Sequence, residues 1–129
     1  MASIIVVDDN RQYGETLKTF LGAKGYKVYH TESAKQAIEL CALRNPDIVI
    51  SDILMPEMDG IEFLLQLKTD RGSNLKGIIM ISGGGLAEAE TYLSMAESLG
   101  AAQVFTKPVS FIKLADAIEN ILTEDKVDP

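Results

Sequence analysis

One cysteine, one histidine and four prolines occur in the 129 residues, and no apolar run nears the length of a membrane-crossing helix. Each scarcity removes a class of answer. A single cysteine, Cys41, allows no intramolecular disulfide, which fits a reducing compartment and makes the cytoplasm the expected location. The lone His30 has no second histidine and no nearby cysteine with which to share a metal, so it reads as structural. Basic residues are outnumbered 12 to 19, for a net charge of −7, whereas a nucleic-acid surface needs clustered lysine and arginine. Neither direct nucleic-acid binding nor membrane insertion is expected. Met1-Ala2-Ser3 carries no basic leader, so no signal peptide is read there. With no repeat, low-complexity tract or linker, residues 1–129 read as one domain with a core at 3–122 and a polar tail at 123–129. The apolar share, 47%, suffices for a core.

What is present is organised around the stretch from Asp47 to Gly60. Ile48-Val49-Ile50 is short and apolar, as in a strand buried on both faces, and it delivers Asp52 to its far end. Charge at such an exit is unfavourable unless something binds it. In open α/β sheets, ligands sit in the crevice beyond the carboxyl ends of the strands. The ordinary reading of an Asp after a strand is a turn former or helix cap. Asp59 fits that reading, followed by Glu62 as third residue of a helix whose core face is Ile61, Leu64 and Leu65. Asp47 lies at the strand's entrance, the wrong end of the sheet. Asp52 is left for chemistry.

The other segments repeat the pattern. Ser3–Val7 reads as a buried strand ending in Asp8-Asp9, with Asn10 available to cap a helix of apolar Tyr13, Leu17, Phe20 and Leu21. Gly14, inside that helix, costs about 1 kcal/mol relative to alanine. Gly25 is placed as its left-handed cap. Tyr26–His30 alternates polar and apolar, the mark of an edge strand. Ser33 with Gln36 forms a capping box for a helix burying Ala34, Ala37, Ile38, Cys41 and Ala42. Gly77–Ser82 is an apolar strand with a hydroxyl at its exit. Gly83-Gly84-Gly85 follow without the Gly-Lys-[Ser/Thr] of a nucleotide P-loop. The next helix turns Leu86, Ala89, Leu93, Ala96 and Leu99 inward and stops at Gly100. Ala102–Thr106 is the last strand and leads into Lys107-Pro108. Ser110 caps a final helix facing Phe111, Leu114, Ala115, Ile118, Ile121 and Leu122 to the core. Five strands alternating with five helices call for a doubly wound α/β fold, a parallel sheet covered on both faces.

All parallel strands exit at one edge, so Asp8, Asp9, Asp52, Ser82 and Lys107 converge if their strands are neighbours. Carboxylates about 4 Å apart repel by roughly 4 kcal/mol at an effective dielectric of 20. Such a cluster takes up protons or binds a hard cation, and an oxygen-only set of few ligands favours Mg²⁺. Lys107 and Ser82 add a cation and a donor for a doubly charged oxyanion. Together these groups can move a phosphoryl group onto Asp52.

On these residues the chain resembles a response-regulator receiver domain of two-component signalling over 3–122. The carriers are Asp8-Asp9, Asp52-Ile53-Leu54-Met55-Pro56 with Asp59-Gly60, Ser82-Gly83 and Lys107-Pro108. The resemblance implies a flavodoxin-like sheet of order 2-1-3-4-5. It also implies that Asp52 takes phosphate from the phosphohistidine of a histidine kinase or histidine phosphotransfer protein. Mg²⁺ would be held by Asp9, Asp52 and the Leu54 carbonyl, with Asp8 acting through water. Ser82, Lys107 and the Gly83 amide would contact the phosphoryl oxygens, and Lys107–Pro108 would be cis. The family's fourth helix, fifth strand and fifth helix form the surface that phosphorylation switches toward a downstream protein target. No output domain is read in the chain, and no turnover enzyme is implied, only a phosphoacceptor that assists its own phosphorylation and dephosphorylation.

Two departures stand out. Val104 occupies the position where the family carries its switch aromatic, and Phe105, next to it on a strand, points to the opposite face. The loop after Ser82 is longer than is usual, which should loosen the helix at 86–99. Rival readings are a receiver that serves as a constitutive interaction module and a Mg²⁺-dependent aspartyl-phosphate phosphohydrolase. The latter typically has a second Asp where this chain has Leu54.

Overall fold

A computed structural model describes residues 2–53, 58–69, 74–83 and 94–124. Its strands are β1 (Ser3–Val7), β2 (Lys27–Thr31), β3 (Ile48–Asp52), β4 (Gly77–Ser82) and β5 (Gln103–Thr106). The helices are α1 (Arg11–Ala23), α2 (Ala34–Arg44), α3 (Gly60–Lys68), α4 (described over 94–98) and α5 (Phe111–Glu124). All strands pair in parallel in the order β2-β1-β3-β4-β5, as the resemblance implied. The winding reverses between β1 and β3, where Val6 pairs with Ile50. Asp8 and Asp52 thus leave the sheet side by side at the switch point, the usual position of a ligand crevice.

Alternation along the strands sorts the core into two layers. Ile5, Val7, Val49, Ile78 and Met80 face α2, α3 and α4, with Phe63 and Leu64 buried among them. Ile4, Val6, Ile48, Ile50, Ile79 and Ile81 face α1 and α5, against Leu17, Leu21, Leu114 and Ile118. Val104 packs on the first layer and Phe105 on the second, the opposed arrangement expected of them. Burying aliphatic side chains of this size stabilises by about 1.5–3 kcal/mol each relative to exposure.

Local signals place the elements. Asn10 caps α1 by accepting the Tyr13 N–H, and Gly25 follows α1 at φ +98°. Asp59 caps α3 by accepting the Ile61 N–H at 2.8 Å. Gly60 is required by close approach, since a Cβ there would lie 2.3 Å from the Ile53 carbonyl oxygen. Ser33 accepts the Gln36 N–H, but the return half of the capping box is relayed: Gln36 Oε1 accepts from the Thr31 hydroxyl, which takes the Ser33 N–H at 3.4 Å. Asn45 ends α2 in the left-handed region at φ 48°.

Several boundaries and faces differ from the expectation. β2 starts at Lys27 because the Tyr26 N–H is taken by the Leu21 carbonyl at the end of α1. In α3, Leu65 is 44% exposed while Phe63 and Leu67 are buried, a rotation of the apolar stripe. Ala42 is exposed; α2 buries Ala34 and Ala37 fully, and Ile38, Leu40 and Cys41 pack on the core half-buried. Ala96 is buried but Leu99 is 39% exposed; Leu86, Ala89 and Leu93 lie outside the described residues. The expectation of a looser helix at 86–99 falls mostly outside them too. The helix α5 continues through Glu124, into the segment read as tail.

Candidate functional site

The strand exits converge. Asp8 follows β1 and is 3% exposed; Asp52 ends β3 and is 8% exposed. Asp9, next along from Asp8, is exposed. One carboxylate oxygen from each of the three lies within 4.8 Å of the others. The exits of β4 and β5 are tied together by the Lys107 N–H, which donates to the Ser82 carbonyl at 2.7 Å. This bond turns the Lys107 side chain back over the sheet edge, where Nζ meets Asp8 Oδ2 at 2.8 Å and Asp52 Oδ2 at 3.1 Å. The other oxygen of Asp8, Oδ1, accepts the Asn10 N–H at 2.8 Å. The Lys107–Pro108 bond is cis.

The electrostatics follow from this geometry. Burial alone would push the Lys107 ammonium toward deprotonation, but the Asp8 hydrogen bond and the Asp52 charge outweigh it and hold its pKa above the ordinary value. Among the described residues, three carboxylates against one ammonium formally leave two negative charges, the number a divalent cation neutralises. The donor set is all oxygen, with two buried members and one open to water, which fits a hard cation that keeps part of its hydration. It does not fit zinc, which prefers nitrogen and sulfur.

Ser82 completes the cradle in a telling way. Its residue is fully buried, and among the described residues its Oγ has no hydrogen-bond partner. A buried hydroxyl without a partner costs about 1–3 kcal/mol, so such a group points to something that would be its acceptor. Gly83 sits close by; a Cβ there would be 3.6 Å from Lys107 Cδ, ordinary contact distance. Leu54, whose carbonyl was expected as a metal ligand, lies outside the described residues, as do Gly84 and Gly85.

One contributor was not anticipated. Tyr13 was read only as a core residue of α1, and its ring does pack on the second layer. The Lys107 Nζ also stands 4.6 Å from its centroid, and its hydroxyl accepts the Val109 N–H at 3.4 Å. Tyr13 thus clamps the segment carrying Lys107 from both sides of that residue's contacts. Its position on the inward stripe of the helix beside Asp9 was the only sequence signal available.

The sequence and the fold have counterparts among known proteins. Residues 4–119 match the family described as the response regulator receiver domain. Among curated proteins, Sporulation initiation phosphotransferase F of Bacillus subtilis is 30% identical over 92% of this chain and 92% of its own length. Response regulator MprA of Mycolicibacterium vanbaalenii is 30% identical over 97% of this chain, which spans 52% of that protein. Among solved structures, the response regulator receiver domain protein from Clostridium thermocellum superposes with a TM-score of 0.88 at 26% identity, covering 98% of both chains. The signal receiver domain of a signal transduction histidine kinase from Syntrophus aciditrophicus gives 0.86 at 28% identity, over 100% of this chain and 96% of the other.

Proposed function

The chain belongs to the response regulator receiver family of two-component signalling, and from that premise we propose that Asp52 is its phosphoacceptor. The donor is a phosphohistidine on a histidine kinase or histidine phosphotransfer protein. A carboxylate oxygen of Asp52 attacks phosphorus as the phosphorus–nitrogen bond breaks, and the leaving imidazole keeps the bonding pair and takes up a proton. The observation that carries this reading is the meeting of Asp8, Asp9 and Asp52 oxygens within 4.8 Å under a single ammonium, Lys107.

In this reading Asp8, Asp9 and Asp52 hold Mg²⁺, joined by the Leu54 carbonyl. Bound there, the ion supplies positive charge to the phosphoryl oxygens and to the attacking carboxylate. The rest is done by the chain's own groups. Lys107 trades its Asp52 bond for a phosphoryl oxygen, remaining within reach because Tyr13 and Asp8 hold it. The Ser82 hydroxyl, without a partner among the described residues, gains an acceptor, and the Gly83 N–H supplies a further donor. Phosphorylation adds about −1.5 to −2 charges at this edge. Drawing Ser82 and Lys107 toward them pulls on β4 and β5 together, because the Lys107 N–H and Ser82 carbonyl are bonded. The surface of α4, β5 and α5 then shifts its population toward a form that binds a downstream protein. Val104 lacks the bulk of an aromatic, so in this chain that shift runs through Ser82 and the backbone rather than through rotation of a large ring.

In this proposal residues 1–129 form one receiver unit, which acts as a self-assisting phosphoacceptor rather than as a turnover enzyme. A phosphohydrolase is disfavoured by Leu54 in place of a second acid, and a constitutive module by the intact acid pair, phosphoacceptor and lysine. Among the described residues no helix is long and apolar enough to cross a membrane, in keeping with the proposed cytoplasmic site of action. The test uses phosphoramidate and Mg²⁺, with intact mass as readout. Wild type should gain one phosphoryl group and Asp52→Ala none. Equal labelling of both, or of neither, removes the reading.

A further inference from the structure

The lone histidine, isolated in sequence, stands against the acid pair in space. His30 pairs with Val6 across β1 and β2, and its side chain is 4% exposed. Nε2 lies 3.0 Å from the backbone oxygen of Asp8. A carbonyl oxygen only accepts, so Nε2 carries the hydrogen. Nδ1 lies 3.0 Å from Glu15 Oε2 on α1, which fixes the ring's orientation. Room for the ring comes from Gly14: a Cβ there would sit 2.1 Å from Nε2. The glycine inside α1, unfavourable by helix propensity, is thereby explained by the histidine it admits.

The consequence falls on Asp9. The Asp8 N–H donates to the Thr31 carbonyl at 3.1 Å, and the Asp8 carbonyl accepts from His30, so its backbone is held on both sides. A peptide group is planar, so holding the Asp8 carbonyl holds the plane that enters Asp9 and the position of the Asp9 Cα, leaving rotation about its N–Cα and Cα–Cβ bonds to set where the carboxylate goes. Asp9 is exposed, and among the described residues no side-chain hydrogen bond orients its carboxylate. Its aim toward Asp8 and Asp52 therefore depends on the backbone. We infer that His30 is a positioning residue for the cation site, presetting Asp9 through the Asp8 carbonyl, with Gly14 and Glu15 as its supports. This rests on the reading of the three carboxylates as a Mg²⁺ site.

Mg²⁺ affinity, measured by titration calorimetry at one fixed pH, tests the inference without any phosphotransfer. His30→Leu fills the space but removes the donor, and should weaken Mg²⁺ binding about tenfold, the lower end for outer hydrogen-bond partners of metal ligands. His30→Gln, whose side-chain amide can donate to the same carbonyl, should return affinity to within about threefold of wild type. A purely structural histidine predicts a lower melting temperature with unchanged affinity in His30→Leu, and that result overturns the inference. If His30→Leu does not fold, Glu15→Ala serves, because Glu15 is exposed and lies outside the carboxylate cluster; wild-type Mg²⁺ affinity there overturns the inference as well. Asp9→Ala separates the two levels. Loss of Mg²⁺ binding in Asp9→Ala beside wild-type binding in His30→Leu defeats the positioning role alone, whereas undiminished binding in Asp9→Ala defeats the cation site itself.

Discussion

Replacing Lys107 by methionine removes the ammonium that bridges two buried carboxylates while keeping most of the side-chain volume. Nζ is 2.8 Å from Asp8 and 3.1 Å from Asp52, whose side chains are 4% and 9% exposed. Removing one partner of a buried pair costs about 3–5 kcal/mol, because the charge left behind has lost both water and counter-ion. Lys107 is itself 19% exposed and Asp8 keeps the Asn10 N–H, so the cost falls at or just below that range, about 2–3 kcal/mol in a chelator. Mg²⁺ should then recover part of the loss. With the competing ammonium gone, tenfold tighter Mg²⁺ binding corresponds to about 1.4 kcal/mol. At saturating Mg²⁺ the deficit should therefore shrink to about 1 kcal/mol. Urea unfolding of both proteins, with chelator and with millimolar Mg²⁺, measures each quantity from the transition midpoint. A variant as stable as wild type in chelator, or a deficit that Mg²⁺ leaves unchanged, refutes the placement of Lys107 over the two acids.

The same pair gives a pH signature: the folded-state pKa of Lys107 is raised above its ordinary 10.5, so its stabilisation is full below that value and is lost as pH rises through the folded one. The stability gap between wild type and Lys107→Met should stay flat from neutral pH to about 10 and narrow beyond it; a gap that closes near neutral pH contradicts the assignment. Tyr13→Leu removes the ring under Lys107 and the acceptor of the Val109 N–H, and should destabilise by about 1–2 kcal/mol in urea while slowing phosphorylation. Unchanged phosphorylation would reduce Tyr13 to packing. Ser82→Ala deletes a buried hydroxyl with no partner among the described residues, and should raise unphosphorylated stability by about 1 kcal/mol yet lower the phosphorylation rate. A loss of stability would mean that the hydroxyl is already satisfied. Gly14→Ala should destabilise wild type by about 1–3 kcal/mol through overlap with His30 but stabilise a His30→Ala background by about 1 kcal/mol through helix propensity, and additive effects in this cycle would deny the contact.

Most of the frame was legible because period-two and helical patterning report which face is buried, and because parallel strands deliver their exits to one edge. Asp8, Asp9, Asp52, Ser82 and Lys107 could be grouped on that ground alone. What patterning does not carry is the partner across the gap. Tyr13 reads as one more inward residue of α1, although it touches Lys107, which is 94 positions away on another element. His30 looked isolated because its contacts are a backbone carbonyl and an exposed glutamate, neither of which leaves a motif. By propensity alone Gly14 is only a weak point of its helix; the ring of His30 beside it accounts for it. The turned stripe of α3, with Phe63 inward and Leu65 outward, has a similar origin: both are apolar, and only packing against the core decides between them.

The chemistry of residue 52 is the decisive point. An acyl phosphate on an aspartate is reduced by borohydride to the alcohol, converting that residue alone to homoserine, which peptide sequencing by mass spectrometry locates. After phosphorylation with phosphoramidate and Mg²⁺, the label should fall at position 52, and at no other carboxylate of the site. Homoserine at position 8 or 9, or none anywhere in a protein that binds Mg²⁺, would contradict the account.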